Sequence, residues 1–374
     1  MSRLAPAIVV AALAAACAPA PAATSPSPPA SADGGGSGGG SIAATATAAR
    51  ATPSPSPTPY TRAALPAVHR GMAVVVYGTE THGDEHAAAA DRRFAQLATL
   101  GVNVVSLNFA LTTPSVTAST VTTDPRLTPD DDQLRTTIRA AHANGLAVVL
   151  RPYLDEATLP APEWRGTLRP ADSAAWFARY TEVLAAYAAL AEKEQVEAIV
   201  VGTELNSLEA DPRWRAVVAA VRGVFGGRIG YSINYDRPYL LPWADALDFI
   251  GIDAFFPLQA PATATAEELE RAWAPHAATL ARGKAAAQGK PFVLTEVGVT
   301  SQTGAHRRPF AWDQGTPADE GAQARYYAAT CAALRGVVDG MYWWSTTIGP
   351  TVDPKSFDPL GKAAEAELRR CFAS

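Results

Sequence analysis

Cysteine is scarce in this 374-residue chain, with three in all, and basic residues form no long run. Two of the cysteines, Cys331 and Cys371, fall in predicted late helices rather than at strand tips, so neither is placed to act as a nucleophile. The formal net charge of -5 and the lack of a basic stretch leave no electrostatic footprint for nucleic acid. No G-x-G-x-x-G opens a helix, no G-x-S-x-G elbow joins a predicted strand to a helix, and no His-Glu-x-x-His is present. Dinucleotide-binding sheets, serine hydrolases and helical zinc sites are thereby set aside, and no cofactor is expected.

What is there is an ordinary globular composition, 48% hydrophobic and 18% charged, in a chain long enough for one large domain with a substantial core. Residues 1–17 carry Arg3 as their only positive side chain and an apolar stretch from Ile8 to Ala16, too short to span a bilayer and shaped like a secretory signal. Leu13-Ala-Ala-Ala-Cys17 resembles the lipobox of bacterial lipoproteins, with leucine one place farther from the cysteine than that motif prefers. Two readings follow: Cys17 is lipidated, or the signal is a plain cleaved one and its cysteine is incidental.

Residues 18–66 are Ala, Ser, Thr, Pro and Gly for the most part, with Gly34-Gly-Gly-Ser-Gly-Gly-Gly-Ser41 and a Pro-Ser-Pro-Ser-Pro run from Pro53. Such a stretch buries too little apolar surface to offset chain entropy and reads as a disordered linker. The protein is expected to be exported, either secreted or held at the cell surface, touching a membrane only through the lipid anchor. A tethered domain of this kind suits an enzyme acting on an external polymer. In an exported protein the pair Cys331 and Cys371 reads as a disulfide, the alternative being two buried thiols that never meet.

Residues 67–374 form the expected catalytic domain. From Gly71 short apolar runs alternate with amphipathic helical stretches, the pattern of a parallel sheet with crossover helices. Eight strands are predicted: Met72–Tyr77, Val102–Asn108, Ala147–Pro152, Ala198–Glu204, Ile229–Asn234, Phe249–Phe255, Phe292–Val297 and Gly340–Ser345. Helices are predicted over Ala87–Leu100, Pro129–Asn144, Ala171–Glu194, Pro212–Phe225, Ala266–Gln288 and Glu320–Arg335. Thr128-Pro129-Asp130-Asp131 and Asp211-Pro212 carry helix-entry chemistry, and Asn144-Gly145 and Gln288-Gly289 carry helix stops. Eight such units over roughly 300 residues fit a (β/α)8, or TIM, barrel, expected to act as a monomer.

In that architecture chemistry sits at the C-terminal ends of strands. Those positions hold Tyr77 and Glu80, Asn108, Arg151 with Tyr153 and Asp155, Glu204 with Asn206, Asn234 with Tyr235 and Asp236, Asp253, Glu296, and Trp343 with Trp344. Carboxylate, amide and guanidinium groups recognise hydroxyls and aromatic rings support the apolar faces of pyranoses, so the ring suits a sugar polymer. Glu204 and Glu296 are the informative members. Each ends a short apolar run, where an unpaired carboxylate has no packing use and is costly to bury. Two carboxylates facing one cleft are the equipment of glycoside hydrolysis, and opposed strands can hold them about 5 Å apart, the spacing of a retaining enzyme.

Glutamates on strands four and seven of a (β/α)8 barrel resemble clan A of the glycoside hydrolases. More narrowly, Leu150-Arg-Pro-Tyr-Leu-Asp155, Val201-Gly-Thr-Glu-Leu205, Ile250-Gly-Ile-Asp-Ala-Phe-Phe-Pro-Leu258 and Thr295-Glu-Val-Gly298 resemble glycoside hydrolase family 113, known for endo-β-mannanase activity. The resemblance spans Gly71 to about Pro350. It implies a (β/α)8 fold, a β-linked polysaccharide substrate, Glu204 as acid/base and Glu296 as nucleophile. Arg151 is then a donor that keeps the nucleophile ionised, and Trp344, with or without Trp343, the platform under the sugar being cut. Two positions depart from the clan pattern: Thr203 stands where asparagine usually contacts the sugar 2-hydroxyl, with Asn206 a substitute, and Phe255 and Phe256 stand where a tyrosine usually approaches the nucleophile, leaving Tyr231 or Tyr235 to do so.

Each assignment has a plainer counterpart. The alternative for Arg151 is a structural partner that neutralises a buried glutamate. Trp343 and Trp344 point to opposite faces of a regular strand, so one packs against a helix. Asp155, Asp236 and Asp253 are either loop caps or substrate contacts. His82, Asp84, Glu85 and His86 offer metal ligands within one loop, but a polar loop leading into a helix explains them without a metal. A surface carbohydrate-binding protein on an enzyme-like barrel is the alternative to a hydrolase.

Overall fold

The computed structural model describes residues 60–155, 159–160, 162–349 and 353–373. The signal-like segment, Cys17 and the linker as far as residue 59 lie outside the described residues.

Eight parallel strands close into a barrel in chain order, each paired with its sequence neighbours and β8 with β1. They are β1 (His69–Val75), β2 (Val104–Leu111), β3 (Ala147–Leu154), β4 (Ala198–Thr203), β5 (Arg228–Asn234), β6 (Phe249–Asp253), β7 (Phe292–Val297) and β8 (Gly340–Thr347). Their largely apolar sequences are buried on both sides, by the barrel interior and by the outer helices. Those helices are α1 (Gly83–Thr99), α2 (Asp131–Ala143), α3 (Ser173–Lys193), α4 (Trp214–Val224), α5 (Ala266–Ala286), α6 (Glu320–Leu334) and α7 (Ala363–Ala373). Between β5 and β6 a 3-10 turn at Ala244–Ala246 takes the place of a crossover helix.

Helix starts follow local chemistry with small shifts from the sequence reading. Asp130 caps α2 and forms a capping box with Gln133, while the Thr128 hydroxyl donates instead to the Ala110 carbonyl at 2.6 Å. Thr265 and Glu268 form the same box on α5. A disulfide joins Cys331 on α6 to Cys371 on α7 across a Cα separation of 5.7 Å.

The barrel interior is layered by strand parity. At the floor Val104, Ala147, Val149, Ala198, Val200, Phe249, Val293 and Tyr342 pack as one apolar cluster, with Leu65 against it. Gly230 makes room for this layer: a Cβ there would lie 2.2 Å from the Phe249 ring. Residues 60–66, compositionally the end of the linker, are bonded to this end of the barrel. Tyr60 stacks on His142 at 3.7 Å and its hydroxyl donates to Glu197 at 2.5 Å, while Arg62 donates to the Val196 carbonyl at 2.7 Å. Toward the strand C-termini the same inward parity turns polar, through Ser106, Asn108, Arg151, Ser232, Asn234, Asp253 and Thr295. That change of character positions the site. Among the described residues no helix is long and apolar enough to cross a membrane, and no group of three or more His, Cys, Asp or Glu side chains is arranged to hold a metal.

Candidate active site

Arg151, in the C-terminal half of β3 and 1% exposed, organises the barrel mouth. Its Nη1 lies 2.6 Å from Glu296 Oε1 and its Nη2 donates to Asp253 Oδ2 at 2.7 Å. Its Nε donates to Thr203 Oγ1 at 3.2 Å, and Nη1 also reaches Asn108 Oδ1 at 3.4 Å. The second Asp253 oxygen accepts from Thr295 Oγ1 at 2.9 Å. One planar guanidinium thus ties β2, β3, β4, β6 and β7 together in a fixed fork, which an ammonium could not reproduce.

Strand parity alone would turn Glu296 away from this network. Val293 packs in the inner floor layer and Thr295 contacts Asp253 inside the barrel, so the next residue should face the helices. The β6–β7 register shifts between Ile252 and Asp253, which pair with Leu294 and Glu296 respectively. This bulge brings Thr295 and Glu296 to the same side of the strand and re-aims the carboxylate inward. β4 carries its own shift between Val200 and Thr203. Glu204 then adopts φ of +52°, a left-handed conformation uncommon outside glycine.

Glu204 has its own counter-ion. Arg165, in a 3-10 turn at Arg165–Thr167 between β3 and α3, places Nη1 2.9 Å from Glu204 Oε2 and donates from Nε to the Leu154 carbonyl at 2.7 Å. Its guanidinium lies over the Tyr153 ring at 5.1 Å. Behind Glu204, the Leu205 N–H donates to the Tyr231 hydroxyl at 3.0 Å, beside the buried Glu209. Burial pushes Glu209 up to about 7 against the pull of Arg237. Arg165 and Glu209 were not singled out from the sequence. Neither sits at a strand tip or in a motif; the only available signal for Arg165 was a cation in the loop after β3.

The charges are unevenly matched. Burial raises the pKa of Glu296, as does the Asp253 carboxylate, to about 8 against the pull of Arg151 and Arg165. Burial also raises Asp253, opposed by Arg151. One guanidinium serves two buried carboxylates, so, against the expectation that Arg151 keeps Glu296 ionised, the pair holds protons more tightly than isolated acids and titrates as a unit. Burial works against the Arg151 charge, but Asp253, Glu296 and Glu204 outweigh it and raise its pKa. Arg151 therefore feels both glutamates, which places the ends of β4 and β7 in one electrostatic site.

The structure sorts the remaining candidates by accessibility. Trp343 is a correction: it is fully buried and stacked on Tyr327 of α6 at 3.8 Å, whereas Trp344 faces the mouth beside Phe255 and Phe357. Asn108 and Asp253 are also fully buried, and Arg151 nearly so. These three shape the site from beneath rather than meeting a substrate. Tyr153, Asp155 and Asn206 are half-buried at the mouth. The Oδ1 atoms of Asn206 and Asn234 are buried and have no hydrogen-bond partner, the condition in which a sugar hydroxyl completes an amide.

Of the phenols, Tyr231 packs outside the barrel against Trp214 and Trp243. Tyr235 is pushed up to about 12 by burial, then by Asp236 and Glu204, so it approaches the acid/base candidate. Thr203 is engaged by Arg151. His86 is a core residue bonded to Thr137 at 2.8 Å, and His82 lies 3.5 Å from Asp130 at the surface. Glu80, raised to about 7 by burial, lies 3.8 Å from His86.

A closed (β/α)8 barrel with glutamates at the ends of β4 and β7, each held by an arginine, defines a glycoside hydrolase of clan A. The chain belongs to Glycoside Hydrolase Family 113, whose sequence model matches residues 75–349. Among solved structures it is similar to the family 113 β-mannanase of Alicyclobacillus acidocaldarius in complex with ManMIm, at 26% identity over 82% of this chain and 97% of that one, TM-score 0.71. A family 113 β-1,4-mannanase superposes at 23% identity over 82% and 99%, TM-score 0.69. The fold alone is shared with a family 5 mannosidase of Rhizomucor miehei, at 11% identity over 82% and 92%, TM-score 0.55. No curated protein matches the chain.

Proposed function

We propose that this glycoside hydrolase is an endo-acting β-1,4-mannanase that works by double displacement with retention, exported and tethered through its N-terminal segment. The observation that carries the mechanism is the unequal pairing of the two glutamates, Glu296 with a buried arginine that five strands hold in place and Glu204 with an arginine on a loop. Similarity to family 113 β-mannanases supports the substrate.

In the first step Glu296, ionised while Asp253 holds the proton that the pair shares, attacks the anomeric carbon as Glu204 gives its proton to the leaving glycosidic oxygen. The bond to the leaving sugar breaks as the glycosyl–Glu296 ester forms. In the second step Glu204, now ionised, takes a proton from water, whose oxygen displaces Glu296. Arg151 keeps the attacking oxygen in place and balances its charge; Arg165 serves Glu204 in its ionised phase. Trp344 supports the apolar face of the reacting sugar, and Asn206 and Asn234 accept from its hydroxyls. The disulfide between Cys331 and Cys371 supports export.

The test is product analysis on a panel of β-linked glycans with anomeric configuration followed by proton NMR. Reducing ends released from β-1,4-mannan, first seen as the β-anomer, are expected. First appearance of the α-anomer would overturn the mechanism, and release only from another glycan would overturn the substrate. Binding with no release from any glycan would favour a carbohydrate-binding role.

A further inference from the structure

Of the eight tryptophans in the chain, only Trp312 is exposed, at 44%. An exposed indole held on a well-built loop offers a flat apolar face to a partner. The loop between β7 and α6 is well built. Gln302, fully buried, donates to the Trp312 carbonyl at 3.0 Å and accepts from the Gln314 N–H at 3.1 Å. Gln314 returns two bonds to the Arg308 and Ala311 carbonyls at 2.9 and 3.0 Å. A bridge between Gln302 and Ala318 closes the loop.

Trp312 is also continuous with the candidate active site. Its ring meets Phe357 at 4.8 Å and 78°, and Phe357 meets Phe255 at 6.3 Å. Phe255 and Phe357 share one apolar cluster with Trp344, against which Tyr77, Tyr235 and Phe310 pack. A near-perpendicular contact leaves at least one indole face uncovered by Phe357. An aromatic path thus runs from the platform beside the glutamates to an exposed, rigidly presented ring on the catalytic face.

We infer that Trp312 is a distal sugar-binding platform: it stacks on a pyranose of the β-linked chain remote from the bond being cut and so sets a preference for long substrates. This rests on the mannanase reading above. A fixed ring with few rotatable bonds gains apolar contact at small entropic cost, and its flat face matches the C–H face of a β-linked hexose.

Two experiments separate the platform from the substrate assignment. In the first, kcat/KM is measured on β-1,4-mannohexaose and on an aryl β-mannoside. Trp312→Ala should lower the ratio of the two by about tenfold, through KM, and Trp312→Phe should restore most of it. An unchanged ratio, or one that Trp312→Phe leaves as low, overturns the proposal. In the second, affinity electrophoresis measures retardation of the inactive Glu296→Ala protein by soluble mannan, glucan, xylan and galactan. Retardation by any of these that Trp312→Ala abolishes supports the platform even if mannan is not the substrate. Retardation by none, or retardation that Trp312→Ala leaves intact, overturns it.

Discussion

The ends of β4 and β7 solve one problem in two ways. At β7 the carboxylate is swung inward by a bulge and seated on Arg151, a β3 residue 1% exposed and bonded to four other strands. At β4 the carboxylate sits on a left-handed residue and meets Arg165, whose side chain is 11% exposed and comes from a loop. On the proposed mechanism Glu296 must attack from one position, which a partner built into the barrel provides. A residue that gives and takes a proton in alternate steps needs a counter-ion that does not lock it into one state. The difference teaches that role follows from what holds each carboxylate, not from the carboxylates themselves.

The largest effect should come from removing them, and leaving-group chemistry should tell them apart. Glu296→Ala is expected to lower kcat by about 10⁴-fold or more on every substrate. Glu204→Gln should cost about 10²–10⁴-fold on mannan but far less on an aryl mannoside whose leaving group needs no proton. Equal sensitivity of both variants to the leaving group would erase the distinction.

Next is Arg151→Met, which leaves Asp253 and Glu296 buried without their cation. Breaking a buried pair typically costs about 3–5 kcal/mol, so the urea midpoint should fall accordingly. Arg165→Met should cost less, because Arg165 is 11% exposed against 1% for Arg151 and is paired with Glu204, whereas Arg151 serves two buried carboxylates; comparable losses would contradict a rigid β7 site and a looser β4 site.

Stability should also depend on pH through Glu296. Burial and the neighbouring Asp253 carboxylate raise its pKa to about 8 from an ordinary 4.5, and Asp253 is raised with it, so the folded pair binds an extra proton between those values. That contribution is complete below about 4.5 and is lost as pH rises through about 8. Glu296→Gln should therefore flatten the decline in urea midpoint between pH 5 and pH 9, and an unchanged slope would remove Glu296 as its source. The smallest effect is expected from Tyr231→Phe, which deprives the Leu205 N–H of its acceptor at about 1–3 kcal/mol and should lower kcat a few-fold by loosening the Glu204 turn.

The barrel was legible because its strands are apolar runs buried on both sides and its helices carry their own caps; all eight predicted strands coincide with observed ones to within a few residues. The opposed faces of Trp343 and Trp344 followed from alternation alone. Arg151 was legible as a strand-tip cation beside a carboxylate, but not as the centre of a five-strand network, since Asn108, Thr203 and Asp253 meet only when the barrel closes. The inward turn of Glu296 rests on a bulge, and a one-residue register shift leaves no mark in the periodicity. Arg165 and Trp312 lie on loops, where spacing carries no positional information.

The central claim is that Glu296 becomes covalently bonded to the sugar. Incubation with a 2-deoxy-2-fluoro mannosyl donor bearing an activated leaving group, followed by peptide mass mapping, tests it directly. A single label on the peptide containing Glu296 is expected, formed by the wild-type protein and by Glu204→Gln with that activated donor. A label on Glu204, or inactivation with no covalent sugar, would contradict it.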